Sequence, residues 1–334
     1  MKRAGVASLL LLTMAGCVTP QAGLCSIRAS REDMLAPSPD IWNNLVLHGF
    51  DPQARQFPQP ASDCMGVPVM WQEPRADECR EPGPAPEPLP PRDTLEDGDT
   101  IVEILKPGLR LVWILTRRYS NGEALGPVAL VENVHEGYEV RVLGSLRSFS
   151  RQARLRLQHV GNWDVLHAEG DQCTEETPPT CRRMARLLPI RQGRFISEPI
   201  LSSEGKCLGP GWIPLSREQT FELPNGRHRR MEQTTTLGFD KDRVTLHEQV
   251  EVTDSDPRQP ALPPKLYRRA EAERAISFEK ARTVGTAPSL WQRLLEFQVA
   301  VGAKALDDKS TPKSDGVANT ASAPPPLLAR PPPP

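Results

Sequence analysis

Between Val244 and Val252 the side chains change character at every second position. Val244, Leu246, Val250 and Val252 are apolar, while Thr245, His247, Gln249 and Glu251 are polar. A period of two places one set on a core and the other in water, which is the signature of a half-buried strand. Tyr138, Val140 and Val142 alternate with Glu139 and Arg141, and Leu155 and Leu157 alternate with Arg154, Arg156 and Gln158. Turn chemistry divides these runs at short intervals: Asn121-Gly122, Glu136-Gly137, Gly161-Asn162, Leu223-Pro224-Asn225-Gly226 and Asp240-Lys241-Asp242. Pro at the second position and Gly at the fourth suit a type I turn at 223–226. The pattern predicts a mainly β domain over residues 96–302 with roughly ten to twelve strands. Consecutive antiparallel strands make a meander, hence a barrel, half-barrel or sandwich.

One helix is predicted to close that domain. Ser289 can cap it, Gln292 stands three residues on, and Leu290, Trp291, Leu294, Leu295 and Gln298 follow helical spacing up to Gly302. Residues 270–282 fit strand or helix. Upstream, residues 17–95 read as an irregular segment. It holds one short helix between Asp40, as cap, and Gly49, as stop. It also holds a proline run, Pro82–Pro91, with six prolines in ten positions, which favours a polyproline II spacer. Residues 303–334 are rich in Ala, Pro and Ser and are expected to be disordered.

The amino terminus constrains location. Lys2 and Arg3 precede an apolar stretch from Ala4 to Leu12. That stretch is far shorter than the roughly 20 residues a membrane span needs, and it fits a signal-peptide core. Met14-Ala15-Gly16-Cys17 follows. This tetrapeptide resembles the lipobox of bacterial lipoproteins, with Met14 standing where that family prefers Leu. The resemblance covers residues 1–17. It implies cleavage before Cys17, two or three acyl chains on that residue, and a membrane-anchored protein outside the cytoplasm. Each buried methylene contributes about 0.8 kcal/mol, so several chains anchor stably where one would not. Val18 occupies the position where the family's inner-membrane retention signal would be Asp, which implies the outer membrane.

Six further cysteines remain: Cys25, Cys64, Cys79, Cys173, Cys181 and Cys207. An even number in an exported chain predicts three disulfides among 15 pairings. Cys173 with Cys181 is the local choice, worth about 2.5 kcal/mol by loop closure. Cys64 with Cys79 is second, leaving Cys25 with Cys207. No C-x-x-C pair exists, and His135 and His247 sit in a turn and on a polar strand face, so no metal site is expected.

Without Lys2 and Arg3 the chain carries 39 basic and 42 acidic residues, a net charge of −3. That balance argues against nucleic-acid partners. The sequence has no G-x-S-x-G elbow, no H-E-x-x-H and no phosphate loop. No cofactor and no catalytic residue are assigned. Arg154 and Arg156 share one strand face and form a candidate anion-binding pair, to be weighed against a solvated face neutralised by nearby carboxylates. Glu248 interrupts an apolar face, and pairing with a buried Arg is the favoured reason. The reading is a non-catalytic envelope lipoprotein that binds a lipid, glycan or protein partner, or serves as the accessory subunit of a surface machine. The alternatives are an envelope hydrolase working through scattered carboxylates and a purely structural surface protein.

Overall fold

The computed structural model describes residues 23–71, 79, 86–173 and 181–306. Cys17, the signal-like segment, the first half of the proline run and most of the carboxyl-terminal tail lie outside them. The first ten strands are β1 (Cys25–Arg28), β2 (Thr100–Lys106), β3 (Leu109–Ile114), β4 (Arg117–Arg118), β5 (Glu123–Val134), β6 (Gly137–Phe149), β7 (Arg154–Val160), β8 (Trp163–Cys173), β9 (Cys181–Arg191) and β10 (Arg194–Phe195). Then come β11 (Ile200–Leu201), β12 (Cys207–Gly209), β13 (Trp212–Pro214), β14 (Ser216–Glu222), β15 (His228–Phe239), β16 (Val244–Ser255), β17 (Lys265–Phe278), β18 (Thr283–Gly285) and β19 (Lys304–Ala305). The helices are α1 (Arg31–Leu35), α2 (Pro39–Val46) and α3 (Leu290–Ala300).

The protein is mainly β, as its alternation predicts. The first sheet runs β2-β3-β5-β6-β10-β9-β8-β7 and curls into a nearly closed barrel. Its end strands β2 and β7 come within 8 Å, Cα to Cα, without pairing. Leu111, Trp113, Val128, Leu146, Leu155, Leu166, Leu188 and Phe195 fill the interior. Trp113 Nε1 donates to the Leu146 carbonyl at 3.2 Å, so its polar edge is satisfied in the core. At Gly170 a Cβ would stand 2.0 Å from the Phe149 carbonyl oxygen. Only glycine permits so close an approach of β8 to the end of β6, which keeps the barrel narrow enough for side chains to fill.

Residues 109–115 form a nearly unbroken apolar run because both faces of β3 are buried. Leu111 and Trp113 point inward, while Val112 and Ile114 meet a cover made of Trp42, Leu45, Val46, Phe50 and Phe57. Over residues 24–71 the structure thus departs from the irregular segment expected there. Residues 24–71 pack on the outside of β3, β5 and β6, and β1 pairs antiparallel with β6. Trp42 meets Tyr138 edge-on at 4.7 Å. The expected short helix is α2, which starts with Pro39 behind Ser38 rather than at an Asp40 cap. Proline's fixed φ suits the first helical turn. Gly49, at φ +67°, turns the chain beyond it. The second half of the proline run is docked too, with Leu89 N–H bonded to the Arg118 carbonyl.

The second sheet runs β12-β11-β18-β17-β16-β15-β14-β19. One half of its inner face packs on the outside of the barrel, where Val244, Leu246, Ile276 and Phe278 meet Val160, Val165, Ala185 and Leu187. The other half, with Phe221, Met231, Val250 and Val252, is covered by Leu290, Trp291 and Leu294 of α3. Ser289 caps α3 through Gln292 N–H, and residues 270–282 resolve mostly into β17. The tail expected from residue 303 begins as a strand, since β19 pairs with Phe221 and Glu222 of β14. Two features depart from a plain meander: β10 pairs parallel with β6, and β11 pairs parallel with β18.

Of the expected disulfides, Cys173–Cys181 is present. The other two pairings need correction: Cys25 bonds Cys64, and Cys79 bonds Cys207. Closeness in sequence favoured Cys64 with Cys79. The fold lays residues 61–69 over the edge carrying β1, and brings Cys79 to β12 in the second sheet.

Candidate functional site

The unpaired seam of the barrel forms a depression that includes Arg154 and Arg156, the pair singled out in the sequence. Its walls are Glu103, Ile104 and Leu105 of β2 and Arg154–Gln158 of β7, around a groove of about 540 Å³. The pairing directions around the sheet make β2 and β7 parallel to each other. An added strand would need two spacings of about 4.8 Å each. The seam, at 8 Å or less where the strands touch, accepts such a strand only if it opens. Ile104 is 70% exposed at its rim.

Arg154 and Arg156 share the outer face of β7, while Leu155 and Leu157 turn inward. Register places Arg154 opposite Glu169 and Arg156 opposite His167. Arg156 Nη1 lies 3.4 Å from Glu169 Oε1, so this guanidinium is partly neutralised within its own sheet. Glu169 also accepts from Arg183 Nε at 2.9 Å, and Arg183 Nη1 reaches Asp171 at 2.7 Å. The arrangement is an alternating row of charge, with Arg154 alone lacking a carboxylate partner within 4 Å among the described residues. The hairpin turn at Gly161-Asn162 fixes the β7–β8 part of this register, while Arg183 enters from β9. Elsewhere arginine is used within the fold: Arg229, for example, grips Asp254 at 2.7 and 2.9 Å.

His167 lies in the same row, 2% exposed, between the barrel and the Phe239 ring at 5.0 Å. Burial pulls its pKa down to about 4, Glu169 opposes this, and Arg156 and Arg183 reinforce it. The unfolded chain therefore takes up this proton first. Stability contributed by neutral His167 is fully present above pH 6.5 and is lost as pH falls toward 4. A urea titration series is expected to show this loss, and His167→Gln to flatten it between those values.

Glu248 occupies the boundary between the two halves of the second sheet's core. Its Oε1 accepts from Arg274 Nε at 2.9 Å, and its Oε2 accepts from Leu290 N–H at 2.7 Å at the start of α3. Nearby Arg217 stacks on Trp291 at 4.4 Å and donates to Gln233 at 2.7 Å. Burial brings its pKa down to about 9, which still leaves it charged at neutral pH. Among the other carboxylates, Asp164 faces His159 and Glu232 faces Arg230. No family model, curated protein or solved structure matches the chain.

Proposed function

We propose that this chain is an outer-membrane lipoprotein, anchored through acyl chains on Cys17, whose barrel is a non-catalytic scaffold presenting a binding surface to a lipid, glycan or protein of the envelope. The observation that carries this reading is the use of cysteine. Six of the seven cysteines are consumed in Cys25–Cys64, Cys79–Cys207 and Cys173–Cys181. The one left over is Cys17, the residue that the lipobox resemblance designates for acylation. Disulfides persist in oxidising compartments and are rare in the cytosol.

Two structural features support a scaffold. The barrel interior is occupied by Trp113 and its neighbours, so ligands meet the outside of the barrel. The buried carboxylates Glu248 and Asp254, and the half-buried Glu169, each face a guanidinium and serve as structural partners. The anchor also acts at short range. Cys25 is fixed in β1 and stapled to Cys64, and eight residues from Cys17 to Cys25 span at most about 28 Å. The face carrying β1 and α1 is thus held close to the bilayer, and the proline run lies beyond this attachment.

Cys17→Ala is expected to move the protein from the membrane fraction to the soluble exported fraction. Unchanged fractionation with membranes would overturn the anchor.

A further inference from the structure

We infer that β17 is a self-association edge, pairing antiparallel with the same strand of a second copy about a two-fold axis through Ala270. One edge of β17 is paired with β16 along its length, whereas β18 covers the other edge only at Ile276–Phe278. Residues 265–269 are exposed, including Leu266 and Tyr267 at 59% and 52%. The edge from Arg269 to Glu273 therefore has no strand beside it among the described residues.

The backbone direction on that edge is fixed by its neighbour. Ala275 N–H donates to Thr286 Oγ1 at 2.9 Å, and Thr286 N–H donates to the Ala275 carbonyl at 3.0 Å. Both polar groups of Ala275 thus point to the β18 side. By alternation, those of Arg269, Glu271 and Glu273 point the same way, toward the open edge. Ala270, Ala272 and Arg274 turn their polar groups to β16 and their side chains to the inner face.

Charge then selects the partner and the register. Lys265, Arg268 and Arg269 lie at one end of the open edge, and Glu271 and Glu273 near the other. An antiparallel copy centred on Ala270 sets Arg269 opposite Glu271 twice, each pair exchanging amide and carbonyl. It sets Ala270 against Ala270, where no bulk prevents approach. Sliding the copy by two residues either way sets Glu271 against Glu271 or Arg269 against Arg269, which opposes pairing. Charges commonly guard strand edges against any partner. Here their order is complementary to itself in one register.

The test uses the full chain carrying Cys17→Ala, so that acyl chains do not add mass in light scattering. The expected result is a dimer, converted to monomer by Arg269→Glu and restored by Arg269→Glu with Glu271→Arg. Ala270→Cys is expected to give a covalent dimer on a non-reducing gel, because facing residues of such a pair lie about 4.5 Å apart, within disulfide reach. A monomeric parent chain, a dimer indifferent to Arg269→Glu, failed rescue by the charge swap, or no cross-link at residue 270 would each overturn the inference. Loss of the in-chain Arg269–Glu251 pair does not mimic these outcomes, since the charge swap leaves that pair broken.

Discussion

Replacing Cys79 and Cys207 together by Ser is expected to lower stability by about 5 kcal/mol, the loop-closure entropy of a cross-link spanning 128 residues. The same change at Cys173 and Cys181, eight residues apart, is expected to cost about 2.5 kcal/mol. Urea denaturation of the unreduced full chain measures both. The ranking has a structural basis. Cys79 leaves the cover on one flank of the barrel, and Cys207 lies in β12 of the sheet packed on the other flank. Their bond ties the two flanks together across the chain's middle, whereas Cys173–Cys181 closes a single β8–β9 connection. Equal losses from the two double variants would contradict this account.

Glu248→Ala is expected to cost about 3–5 kcal/mol, because it leaves Arg274, 7% exposed, as a buried charge without its partner. It also removes the acceptor for Leu290 N–H at the head of α3. Glu248→Leu with Arg274→Leu removes the charge problem while keeping apolar volume, and is expected to recover most of the loss. Recovery should be incomplete by about 1 kcal/mol, since the helix still lacks its acceptor. Denaturation midpoints of the two variants decide the matter. A double variant as unstable as the single one would place the energy in something other than the ion pair.

Local chemistry made much of the β architecture legible. The alternation of Val244 to Val252 lies in β16, and the turns at Leu223–Gly226 and Asp240–Asp242 fall between the strands they were expected to join. The hairpin register follows from those turns. What escaped reading depends on long-range closure. The two-residue strands β4, β10 and β11 have no periodicity to detect. The parallel pairing of β10 with β6 sets Arg194 beside Leu143, far apart in sequence, and no local pattern reports it. Residues 24–71 looked irregular because a cover of short helices and bridges has no sustained period; Trp42 and Leu45 fall within the one short helix expected there. The second and third disulfides were misassigned for the same reason: their partners meet only once the cover is folded. At the candidate site, Arg154 and Arg156 were placed correctly on one face. The Glu169 that neutralises Arg156 required the β7–β8 register, and Glu103 required knowing that β2 and β7 meet at the seam.

The intact mass of the chain extracted from membranes, taken before and after reduction and alkylation, bears most directly on an acylated, oxidised, exported protein. The account predicts a polypeptide starting at Cys17, heavier by fatty acyl groups, with its other six cysteines alkylated only after reduction. A polypeptide starting at Met1, a bare Cys17, or six thiols alkylated without reductant would contradict it.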